Sequence, residues 1–133
     1  MSSPVSLSEG CLGALHHLTE MRDVNTVILR STDTPGALVP DMEANLTHEE
    51  LLRALPADEP RLVVHELAFA TREGARRNEQ VLIFWMPPGA GGQEAAYTVG
   101  YDALREYLAD VRVHLTAGRT ADLQYRRLVA LAG

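Results

Sequence analysis

The side chains best suited to chemistry in this sequence are Cys11, the adjacent His16 and His17, and the scattered His48, His65 and His114. A cysteine nucleophile needs a nearby base or cation to hold it as thiolate. Side chains three or four positions apart share a helix face, but His16 and His17 follow Cys11 by five and six, so neither stacks on it. Cys11 instead joins an apolar stripe and reads as a buried structural thiol. The other histidines lack the spacing of a metal-ligating set. The run Gly89-Ala90-Gly91-Gly92 lacks the lysine and serine or threonine that complete a phosphate-binding loop, so it reads as a connection. These residue types and spacings predict no catalytic residue, no metal and no cofactor, and so no enzyme.

The remaining functional candidates are charged or aromatic. Arg76-Arg77 and Arg126-Arg127 are basic pairs, and Tyr97, Tyr101 and Arg105 recur at four-residue steps. All twelve basic residues are arginine, which favours planar pairing with carboxylates. The net charge of −6 provides no footprint for nucleic acid or an anionic membrane surface. A lone cysteine excludes an internal disulfide framework, and no signal-like basic-apolar start is present, so a reducing cytosol is expected. No apolar run reaches the roughly 18 to 20 residues of a membrane-spanning helix.

The elements that position these residues follow from hydrophobic spacing. At 133 residues, 46% hydrophobic and 23% charged, the chain predicts one globular domain over 1–133, with a flexible tail at 1–6 and a monomeric state. Leu7 to Met21 places apolar residues at three- and four-residue steps, predicting a helix. Asn25 to Arg30 and a brief Ala37-Leu38-Val39, joined through Asp33-Thr34-Pro35-Gly36, predict a hairpin. Thr47 ahead of His48-Glu49-Glu50 is an N-cap signal for a short helix ended by Pro56. Arg61 to Thr71 and Gln80 to Met86 read as central strands joined by an exposed connection, Arg72 to Arg77. A long helix from Gln93 to about Asp110 is expected to bend at Gly100. A strand at Val111 to Leu115 and a last helix from Thr120 to Leu131 complete the order.

That order, helix, two strands, helix, two strands, long helix, strand, helix, is similar to the actin-depolymerising-factor homology (cofilin) family. Three stretches carry the resemblance: Ser3-Pro4-Val5-Ser6-Leu7 before the first helix, Arg53-Ala54-Leu55-Pro56-Ala57-Asp58-Glu59-Pro60-Arg61, and Val81 to Pro87 with Trp85, followed by Tyr97 and Tyr101-Asp102-Ala103-Leu104. It implies an α/β (α+β) fold with a central mixed sheet of about five strands sandwiched between helices. It also implies a cytoplasmic, cytoskeletal regulator of actin filament dynamics that binds monomer or filament and depolymerises or severs.

Carried over position by position, the resemblance places Ser3, Val5, Gln93, Glu94, Tyr97, Tyr101 and Arg105 on the actin-monomer side. Arg76, Arg77, Arg126 and Arg127 fall on the filament side. Ser2 and Ser3 are implied phosphorylation sites, where added negative charge would repel an acidic partner. Gln93, Glu94 and Ala95 stand where the family carries a basic cluster, Tyr101 replaces a usual lysine, and Glu106 follows Arg105. Tyr97 reads foremost as core. The less basic helix also resembles glia maturation factor, which implies the actin-related branching nucleator complex as the alternative partner, or a weak actin binder without severing.

Overall fold

The computed structural model describes residues 6–31, 37–89 and 94–133. Its frame is one six-stranded sheet in the order β1-β3-β2-β4-β5-β6, built from β1 (Ser6–Leu7), β2 (Thr26–Ser31), β3 (Ala37–Ala44), β4 (Arg61–Ala70), β5 (Arg76–Trp85) and β6 (Val113–Ala117). β2, β3, β4 and β5 pair antiparallel, whereas β1 joins β3 and β6 joins β5 in parallel, so the sheet is mixed. Counting β1 makes six strands. Its Ser6, expected in the flexible tail, pairs with Ala37.

Helices cover both faces: α1 (Glu9–His16), α2 (His48–Ala54), α3 (Glu94–Tyr107) and α4 (Tyr125–Ala132). Successive strand residues point to opposite faces, and the two cores divide along that alternation. Leu62, Val64, Leu82 and Phe84 meet Cys11, Leu15, Leu18, Tyr97 and Leu104 beneath α1 and α3. Val63, Leu67, Val81, Ile83 and Trp85 meet Leu51, Leu55, Leu123 and Leu128 beneath α2 and α4. This two-sided burial makes Leu62–Val64 and Val81–Trp85 read as continuous apolar runs, as a covered sheet requires.

Local chemistry sets the boundaries. Ser8 caps α1 by accepting the Cys11 amide at 3.0 Å. Thr47 Oγ1 accepts from the Glu50 amide while Glu50 Oε1 accepts from the Thr47 amide, a reciprocal box that fixes the start of α2. The expected single first helix instead changes at His17 into a π-helical turn, His17–Met21, closed by Arg22 with φ 58°. β3 outruns the expected Ala37–Val39. A bulge opposite Ile28 and Leu29 absorbs Asp41, and Pro40 lies beyond the end of β1, where no outer strand needs its missing amide hydrogen.

Further differences concern local detail and element boundaries. α3 is unbroken at Gly100, and the glycine there permits close approach, since a Cβ would lie 3.0 Å from Leu38 Cδ2 and 3.1 Å from its Cδ1. Arg76 and Arg77 are not in the connection but open β5, opposite Ala70 and Phe69. The last helix is divided, with a 3-10 turn at Thr120–Leu123 before α4. β6 begins at Val113, two residues later than expected. The turn expected at Asp33-Thr34-Pro35-Gly36 lies outside the described residues, although its flanking strands pair as a hairpin should.

Candidate protein-binding surfaces

The chemistry of Cys11 is settled by packing. The residue is fully buried, and desolvation pushes its pKa up to about 12, so it is an unreactive thiol. His65 is likewise internal, 3% exposed, with Nδ1 2.8 Å from Thr26 Oγ1, whose hydroxyl donates to Asn25 Oδ1 at 2.7 Å. That arrangement places the proton on Nδ1. Burial first, and then His48, lower the His65 pKa to about 4, so the ring is neutral. His48 turns to the Leu123 carbonyl and stands edge-on to Tyr125 at 5.8 Å. These histidines brace the fold. Among the described residues, no group of three histidine, cysteine, aspartate or glutamate side chains could hold a metal.

α3 exposes one stripe, because its opposite face carries Tyr97, Gly100 and Leu104 into the core. Tyr97 is only 2% exposed and its Oη accepts the Ser31 amide at 2.9 Å; it is a core residue and presents nothing to a partner. Tyr101 is half-buried, its ring 5.1 Å from that of Phe84, with the Arg105 guanidinium 5.8 Å above it. Burial raises the Tyr101 pKa, Arg105 opposing and Asp102 adding to the shift. The three residues therefore do not form one exposed row: only Arg105 reaches fully into solvent, with Tyr101 at the margin. Asp102 and Glu106 are exposed beside Arg105, and Glu94 is exposed at the start of the helix, so the exposed side of α3 is acidic. A shallow depression lined by Asp102, Arg105, Glu106, Ala109 and His114 continues it, and desolvation and Arg105 lower the His114 pKa. Ser2, Ser3, Val5 and Gln93 lie outside the described residues.

The second surface is the tip of the β4–β5 hairpin together with α4. The tip closes where the Thr71 amide donates to the Ala75 carbonyl at 2.8 Å and the Gly74 amide to the Thr71 carbonyl at 2.9 Å. Gly74 holds φ +86°, a conformation that favours glycine. Arg72, within this turn, and Arg76, just after it, are both exposed. Arg77 points to the opposite sheet face from Arg76, where its guanidinium lies 5.8 Å over Phe69 and 3.5 Å from Glu79. Arg126 and Arg127 are exposed on α4 and make no ion pair with a described residue. The Tyr125 hydroxyl donates to the Ala68 carbonyl at 2.6 Å, anchoring α4 to the hairpin strand. The structure thus brings Arg76, Arg126 and Arg127 to the outside, holds Arg77 half-covered, and adds Arg72, which the basic-pair signal overlooked.

The layered mixed sheet thus carries its exposed charged residues on one helix face, on the hairpin tip and on α4. The chain matches the family described as cofilin/tropomyosin-type actin-binding protein over residues 4–131, and it belongs to that family. It is 32% identical over 76 residues to actin-depolymerizing factor 3 of Arabidopsis thaliana, covering 56% of this chain and 55% of that protein. The match thus spans about half the length of that relative. The fold is similar to that of Streptomyces griseoflavus cofilin (TM-score 0.85, 21% identity, covering 97% of this chain and 99% of that one). It is also similar to that of Plasmodium berghei actin depolymerization factor 2 (TM-score 0.82, 18% identity, covering 99% and 98%). No described helix is long and apolar enough to cross a membrane.

Proposed function

We propose that this protein is an actin-binding regulator of filament dynamics, associated with the cytoskeleton, whose filament-side surface is stronger than its monomer-side helix. The observation that carries this reading is the family match over residues 4–131. The division of labour is supported by charge. Exposed arginines at the hairpin tip and on α4 suit an acidic protein surface, where complementary charge speeds encounter and sets register. On α3, Glu94, Asp102 and Glu106 outnumber Arg105, and like charge against an acidic partner weakens binding. Tyr101 and Arg105 supply the monomer contact that remains.

Cosedimentation with actin filaments, native-gel shift with monomers and microscopy of filament length test the reading. Saturable filament binding that exceeds monomer binding supports it. Absence of binding in both assays at up to about 50 µM refutes it. Binding to the branching nucleator complex alone would transfer the protein to the glia-maturation-factor type.

A further inference from the structure

The two neighbouring arginines of β5 are unequal, and the inequality identifies which cations a partner can use. Arg76 and Arg77 are consecutive in a strand, so their side chains leave opposite faces of the sheet and cannot both lie flat against one partner surface. Arg76 is exposed at the solvent end of the ladder and makes no ion pair with a described residue. Arg77 has its guanidinium over Phe69, whose side chain is 7% exposed, and its charge faces Glu79 at 3.5 Å. Glu79 is itself held by Arg112, whose Nη2 and Nε lie 2.8 and 3.1 Å from Oε1. Drawing Arg77 outward would uncover an aromatic ring and detach one member of this three-residue network. Arg72, exposed within the turn closed by Thr71 and Ala75, makes no ion pair with a described residue.

We infer that the partner-contacting cations of the hairpin tip are Arg72 and Arg76, and that Arg77 is a positioning residue that braces the strand bearing Arg76. The inference rests on the filament-binding reading above and sharpens it, from a sequence-adjacent pair to one arginine in the turn and one that opens β5. The partner surface it fits is an acidic one on the filament, since two exposed guanidiniums suit carboxylates. Arg77 contributes through its stem against Phe69 and its bond to Glu79, and long arginine stems stabilise by covering apolar surface as well as by charge.

Single variants in the full chain separate these roles. Arg72→Glu and Arg76→Glu are each expected to weaken filament cosedimentation by about tenfold or more and to flatten its salt dependence, with unchanged urea midpoints. Arg77→Met keeps a stem over Phe69 but removes the charge, so it is expected to retain filament affinity within about twofold and the full salt dependence. Arg77→Glu is expected to lower the urea midpoint. Loss of filament affinity in Arg77→Met equal to that in Arg76→Glu, at unchanged stability, would overturn the inference, as would unimpaired binding by Arg72→Glu. Failure of the unmodified protein to bind filaments is a different result: it removes the functional reading and this inference with it.

Discussion

Replacing Gly100 with alanine inverts the usual effect of that change. In a solvent-facing helix position, glycine to alanine stabilises by about 1 kcal/mol through backbone entropy. Here the new Cβ would stand 3.0, 3.1 and 3.2 Å from Cδ2, Cδ1 and Cγ of Leu38, inside the 3.5–4.0 Å optimum for carbon pairs. Leu38 cannot retreat easily: it is 1% exposed, and its strand is paired on both sides, with Leu7 and with Ser31. An added methyl in such a site costs about 1–3 kcal/mol, so the net expectation is destabilisation by about 1 kcal/mol. With a urea dependence of about 1–3 kcal/mol per molar, the midpoint falls by about 0.3–1 M. The sole tryptophan, Trp85, is 3% exposed and donates to the Pro56 carbonyl at 2.7 Å, which provides the fluorescence signal. Leu38→Ala alone should cost about 2–5 kcal/mol by opening a cavity. In that background Gly100→Ala should become stabilising, giving a coupling of about 1–3 kcal/mol across the cycle. A raised midpoint for Gly100→Ala in the unmodified background would refute the reasoning, as would additivity of the two changes.

Tyr97→Phe removes the acceptor of the Ser31 amide without altering exposed surface, so it should cost about 1–2 kcal/mol of stability and leave actin affinity unchanged; reduced affinity at unchanged stability would return Tyr97 to the contact surface. His65, with a folded-state pKa of about 4 against 6.5 when unfolded, favours folding through its neutral form. Its contribution is complete above pH 6.5, is lost as pH falls through 6.5 towards 4, and amounts to about 3 kcal/mol. Ring-nitrogen NMR checks it, and titration of His65 near 6.5 would contradict it. His17 has the opposite sign: the hydrogen bond to Glu43, 2.7 Å away, raises its pKa. Its stabilisation is present below 6.5 and fades as pH rises through the raised value, and an unshifted NMR titration would contradict that.

Most of the element order could be read from the sequence because buried faces leave a period. The Thr47 and Glu50 box was legible as a cap, and the apolar stretch Val81–Trp85 as a central strand. The polar half of β5, Arg76 to Gln80, was not, because none of its own residues is apolar; only the partner strand reveals that Arg77 stands opposite the buried Phe69. The role of Gly100 depends on Leu38, far away in sequence, so no local rule could show the close approach. The acidic character of α3 was visible in Gln93-Glu94, but which acids face outward follows from the burial of Tyr97 and Leu104. The braced state of Arg77 and the exposure of Arg72 required the hairpin register.

The most direct test of the central claim is filament cosedimentation of the unmodified chain across a salt series. Saturable pelleting that weakens as salt rises, and exceeds monomer binding under the same conditions, is the expected result. Absence of pelleting at up to about 50 µM, or monomer binding that exceeds filament binding, would contradict it.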